Sequence, residues 1–103
     1  MEEKILYYNI VPSQYQRSIF VEVDPFCNGA TVINTGTTAM TVNQIPLNAG
    51  LPGTNNGESY SFGGNKGEIY RGRLDISFTG GVGNCVVIQK IYIPSLIQNN
   101  DTL

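Results

Sequence analysis

The stretch Phe62–Phe78, FGGNKGEIYRGRLDISF, admits two readings, and the fold follows from the choice between them. Three glycines and a lysine within its first six residues have the composition of a phosphate-cradling loop. Such a loop needs a Lys followed by Ser or Thr, backbone N–H groups close to the anion, and a helix N-terminus behind them. Here Lys66 is followed by Gly67, and what comes next alternates instead of turning. Tyr70, Leu74, Ile76 and Phe78 fall on one side of an extended chain, with Ile69, Arg71, Arg73, Asp75 and Ser77 on the other, which is the period of a half-buried strand. Ser59-Tyr60-Ser61-Phe62 alternates as well. Gly63, Gly64, Asn65 and Gly67 between the two runs all tolerate positive φ, so the stretch reads as a β-hairpin with Lys66 at its exposed tip.

Outward from that turn, the same alternation predicts strands over Lys4–Val11, Arg17–Val23, Ala30–Asn34, Ala39–Gln44, Glu58–Phe62, Glu68–Thr79 and Asn84–Ile93. Turn residues separate them. Asn34-Thr35-Gly36-Thr37-Thr38 reads as a hairpin, Asn48–Gly57 as an exposed loop and Gly80-Gly81-Val82-Gly83 as the last turn. No apolar run has helical spacing, so the pattern is that of an all-β sandwich or barrel. The strands place one domain at residues 1–93. Pro94 cannot donate to a ladder, which makes 94–103 a tail, or an arm whose Leu96 and Ile97 dock on a neighbour.

Composition removes several classes of function. The 103 residues carry a formal charge of -2, and only 14% are charged, against roughly 25% in an average soluble domain. The basic residues Lys4, Arg17, Lys66, Arg71, Arg73 and Lys90 are dispersed, which argues against nucleic acid as the primary partner. Histidine is absent, and with it the commonest general base and metal ligand. Of the carboxylates Glu22, Asp24, Glu58, Glu68 and Asp75, Glu22 and Asp24 lie two apart and share a solvent face if their strand continues, and the others are dispersed. Each reads as an ordinary surface charge, and no calcium-loop run surrounds Asp24. The expectation is a non-enzyme without cofactor or metal. The acidic start, MEEKILYYNIVP, lacks the features of a signal peptide, and no segment is apolar for the ~18 residues of a membrane span. Synthesis in the cytoplasm and no membrane partner are the corresponding expectations.

Cys27 and Cys85 have a separation compatible with an immunoglobulin cross-sheet disulfide. The chain has no Trp, however, and Gly83 stands where a corner Tyr would precede the second Cys. Two buried free thiols are expected instead.

The aromatic residues and the two terminal strands point to contacts. Leu6, Tyr8 and Ile10 alternate with Ile5, Tyr7 and Val11, so the first strand is apolar on both sides. In the last strand Val87, Ile91 and Ile93 oppose Val86, Ile88 and Tyr92. In a small sandwich one side of such a strand must be covered by something else. The candidate interface residues are therefore Ile5, Tyr7, Val11, Val86, Ile88 and Tyr92, with Leu96 and Ile97 in the tail.

The segment ATVINTGTTAMTVNQIPLNAG, followed by ESYSFGGNKGEIYRGRLDISF, resembles immunoglobulin-like and jelly-roll modules of bacteriophage virion proteins. The matching residues are Asn34 and Gly36, then Val42, Asn43, Pro46 and Leu47, then Gly64, Asn65, Gly67, Glu68 and Ile69. About half the chain is covered. The resemblance implies a single antiparallel β-sandwich of about seven strands, immunoglobulin-like or jelly-roll, with no catalytic residues. It also implies a virion role such as head decoration, minor capsid component or fibre attachment, with the chain itself and other virion proteins as partners. The competing expectation is a carbohydrate- or ligand-binding sandwich that uses Tyr15, Tyr60 or Tyr70 as stacking platforms.

Overall fold

The computed structural model describes residues 7–51 and 57–93. Eight strands follow one another: β1 (Tyr8–Arg17), β2 (Ile19–Glu22), β3 (Cys27–Asn34), β4 (Met40–Val42), β5 (Ile45–Leu47), β6 (Ser59–Gly63), β7 (Arg73–Phe78) and β8 (Val82–Tyr92). They form two four-stranded antiparallel sheets, ordered β1-β8-β3-β6 and β2-β7-β4-β5. The pairing is nested: β1 with β8, β2 with β7, β3 with β6 and β4 with β5. Contacts of β3 with β8 and of β4 with β7 join these pairs into the two sheets. That is one long antiparallel ribbon rolled up on itself, the jelly-roll arrangement of a β-sandwich.

Alternation places the core as the sequence implies. Leu74, Ile76 and Phe78 of β7 are buried, and Arg73, Asp75 and Ser77 are exposed. Val21, Met40, Val42 and Leu47 join them from the same sheet, facing Ala30, Val32, Cys85 and Val87 of the other. The core is mostly aliphatic, with Leu74 and Ile76 its largest fully buried side chains and Phe78 contributing an aromatic ring.

The connections depart from the expected hairpins. The turns at 34–38, 64–72 and Thr79–Gly81 all carry the chain from one sheet to the other. Of the residues expected to tolerate positive φ, Gly63, Gly64 and Gly67 adopt it and Asn65 does not, and Gly80 and Gly81 adopt it in the last turn. These residues bend the chain round corners and do not fold it back on itself. Residues 68–72, expected to extend β7, form a strap along the end of β3. Tyr70 N donates to Cys27 O at 2.8 Å. The Asn28 amide beneath donates towards Asn65 O (2.7 Å), Glu68 O (2.9 Å) and the Tyr92 hydroxyl (3.0 Å), while that hydroxyl donates to Glu68 O. These bonds give the strap carbonyls the partners that a ladder would otherwise supply.

The one true hairpin lies inside the expected strand Ala39–Gln44. Asn43 (φ 49°) and Gln44 (φ 69°) form a two-residue turn with both central residues left-handed. Asn43 is pinned to β7: its N donates to Asp75 O at 3.0 Å, and its Oδ1 accepts from Asp75 N at 2.7 Å. The first strand also runs further than expected, through Pro12 to Arg17. Proline is tolerated there because β1 is a sheet edge, and Pro46 sits likewise on the edge strand β5. At Ser18 the chain changes sheet. Ser18 N donates to Gly81 O, and its Oγ accepts from Phe78 N.

Two substitutions test this geometry. A Cβ at Gly83 would overlap the Phe78 ring, so Gly83→Ala is expected to lower stability by about 1–3 kcal/mol in denaturant titration. Gln44→Gly relieves a left-handed non-glycine residue and is expected to raise stability by a few tenths to about 1 kcal/mol.

Candidate interaction surface

Residues directly opposite one another in a sheet point to the same side. Since Val87, Val32 and Ala30 face the core, the intervening rows of the β1-β8-β3-β6 sheet face outward. Three such rows cross all four strands: Ile10, Lys90, Gly29, Gly63; then Pro12, Ile88, Thr31, Ser61; then Gln14, Val86, Ile33, Ser59. The half of this face on β1 and β8 is bulky and apolar, and the half on β3 and β6 is mostly small. Ile10 is 60% exposed, and Ile33, Val86 and Ile88 are half-buried. A shallow groove of about 350 Å³ runs between Ile10, Ile88, Thr31, Ser61, Gly63 and Lys90.

Two pairs of polar side chains on this face are engaged with each other. Thr31 Oγ1 and Ser61 Oγ lie 2.9 Å apart, and Gln14 Nε2 donates to Asn84 Oδ1 at 2.7 Å. The one charged group, Lys90, holds its ammonium over the Tyr8 ring, 4.5 Å from the centroid. A face that pairs polar side chains internally and carries no carboxylate is cheap to remove from water.

The opposite face has another character. Phe20, Glu22, Arg73, Asp75, Ser77 and Thr41 share the outer side of the β2-β7-β4-β5 sheet. Arg73 lies over the Phe20 ring at 4.6 Å. Beside it, Glu22–Pro25 and Arg71–Arg73 line an open cleft of about 450 Å³. The carboxylates mostly serve the backbone: Asp24 Oδ1 accepts from Phe26 N, Glu58 Oε1 from Asn48 N, and Glu68 Oε2 from the Asn65 amide. Among the described residues no three His, Cys, Asp or Glu side chains cluster as metal ligands would.

The residues singled out from sequence are divided by this geometry. Val86 and Ile88 lie on the outer face together. Tyr92 continues their row but is buried, its ring 5.0 Å from Tyr8 and its hydroxyl tied to Asn28 and Glu68, so the subunit itself covers it. Val11 lies opposite Gln89 on the other side of the sheet, where an edge strand leaves it partly uncovered, and Tyr7 just precedes β1. Ile5, Leu96 and Ile97 lie outside the described residues, as does the tail 94–103. Parity correctly divides the first strand into two sets. The outward set is the one with Tyr8 and Ile10, not the one with Tyr7 and Val11. Sequence reasoning passed over Ile10, Thr31, Ile33 and Ser61 because only the register of β1 and β6 brings them beside Ile88.

Both cysteines are fully buried and free. They belong to the same sheet, Cys27 opposite Ile91 and Cys85 opposite Asn34, so roughly 20 Å of strand separates them and no disulfide can form. Burial raises both thiol pKa values, that of Cys85 from 9.0 to about 11 despite a backbone hydrogen bond that opposes the shift.

No family model matches the chain, and no curated protein or solved structure is significantly similar to it. The surface chemistry and the turn signatures therefore carry the functional reading.

The Cys85 thiol is expected to make stability fall in alkali. The folded state holds this proton more tightly than the unfolded chain, so its contribution is complete below pH 9 and is lost as pH rises towards 11. The loss amounts to about 2–3 kcal/mol over that window. Urea titrations at a series of pH values should show the decline, with a shallower slope in Cys85→Ala.

Proposed function

We propose that this protein is a non-enzymatic structural subunit of a phage-like virion, working by self-association and by docking on other virion proteins as a head decoration, minor capsid or fibre-attachment component. The observation that carries this reading is the contrast between the two outer faces. One is apolar, hydrogen-bonded within itself and nearly uncharged, and the other is polar and of mixed charge. Isolated apolar residues need no explanation on a protein surface, but a contiguous apolar sheet face marks a contact.

The turn signatures at Asn34–Gly36, Val42–Leu47 and Gly64–Ile69 support a virion setting through their resemblance to phage modules. Jelly rolls also serve as lectins and cupins, so the fold alone does not choose among these roles. The side chains favour the structural role over the sugar-binding one. Tyr60 and Tyr70 flank the Phe62 ring at 4.9 and 6.0 Å, and Tyr15 and Tyr70 are partly buried against the core. Tyr15 lies on the opposite edge of the sheet from Tyr60, so the three tyrosines form no common platform. Among the described residues Asp24, Glu58 and Glu68 accept hydrogen bonds at turns, which is an ordinary structural use of these carboxylates.

Native mass spectrometry and sedimentation of the purified chain at micromolar concentration test the proposal. A closed, symmetric oligomer is expected. A chain that stays monomeric at every concentration and fails to bind phage particles would overturn it.

A further inference from the structure

We propose that the outer face of the β1-β8-β3-β6 sheet packs on the same face of a second copy, about a two-fold axis that runs along the strands between β8 and β3. The inference rests on the self-association reading and specifies its surface and symmetry.

The division of the face into a bulky and a small half carries it. A two-fold axis along the strands, midway across a four-stranded face, lays the first strand of one copy over the fourth strand of the other and the second over the third. It keeps every row at its own level. The exposed Ile10 then lies over Gly63 of the second copy, at the groove of about 350 Å³. Ile88 meets Thr31, and each Lys90 faces the Gly64 backbone that covers the buried Gly29, rather than the other lysine. Large meets small at each of these positions, and the one cation is kept from its symmetry mate.

Charge agrees with a second copy as the occupant, and the area allows a weak one. A face with no carboxylate has nothing to attract a basic partner, and a single Lys90 already held over Tyr8 offers little to an acidic one. A surface whose single cation lies off the axis meets a copy of itself without like charges in contact. Four strands at about 4.8 Å spacing and about six residues at about 3.3 Å rise give a patch of about 400 Å² per copy. Doubled, this is about 800 Å², below the roughly 1,200 Å² at which standard specific interfaces begin, so the association is expected to be weak and readily reversible. Two sheets packed this way lie about 10 Å apart, with strand directions within about 30° of each other.

Thr31 stands next to the axis, and the native thiols are buried, so Thr31→Cys places one reactive thiol per copy in the contact. A short bis-maleimide should join two copies of Thr31→Cys, while Ser77→Cys, on the outer side of the other sheet, should remain monomeric on a denaturing gel. Ile10→Lys and Ser61→Phe change exposed side chains on the two edge strands, one adding charge to the knob and the other filling the groove. Each should weaken dimerisation at least tenfold by sedimentation, with an unchanged circular dichroism spectrum and melting temperature. Phe20→Lys should leave it unaltered. If the wild type assembles but Ile10→Lys and Ser61→Phe assemble equally well, or Ser77→Cys is the variant that cross-links, this face is overturned while self-association stands. A wild type that is monomeric throughout overturns both.

Discussion

Everything in this molecule depends on the pairing of its first strand with its last. β8 lies between β1 and β3, so the central position of one sheet is filled by the final segment of the chain. Until Val82–Tyr92 is in place, β1 has no hydrogen-bonding partner, β3 has only β6, and Cys85 and Val87 are missing from the core. Closing such a structure means meeting a large loop entropy before the long-range contacts form. The nested order places every other pair inside that closure, with only β4 and β5 joined locally.

The corners are where the nested ribbon is kept in shape. At one end Ser18 exchanges sheets under hydrogen bonds from Phe78 and to Gly81. At the other, a single buried asparagine holds the strap that links β6 to β7. The Asn28 amide faces three acceptors, and its own Oδ1 has no protein partner. Its orientation is set by those acceptors, since the reversed amide would turn an oxygen towards two carbonyls. Leaving one acceptor unsatisfied costs stability, and the return is a strap held to β3 without a ladder.

The two sheets divide the outer surface into unlike halves, and the functional reading follows from that division. In β7 the outward positions are Arg73, Asp75 and Ser77, while in β8 they are Val86, Ile88 and Lys90. The same rolled hairpin thus presents one face suited to water and one suited to protein. The prolines on β1 and β5 remove a ladder donor from two of the sheet edges, which disfavours strand-to-strand addition there.

How much of this was legible from sequence differs by element. Alternation placed Leu74, Ile76 and Phe78 inside, the glycines marked the positive-φ corners, and the two cysteines and the missing Trp pointed to free thiols. These features are local, set by the period of a strand and by the absence of a Cβ, so sequence by itself determined an all-β sandwich with its core residues. It did not determine which strands are partners. Gly63–Gly67 and Gly80-Gly81 have the backbone freedom of a hairpin and of a corner alike, whereas Asn43-Gln44, the real hairpin, has no glycine. Nor did it determine which side of β1 faces out, because Tyr8 and Ile10 are as apolar as Tyr7 and Val11. Tertiary structure decided both: pairing β1 with β8 and β3 with β6 assigns each row to a face, and the candidate surface exists only once those registers are set.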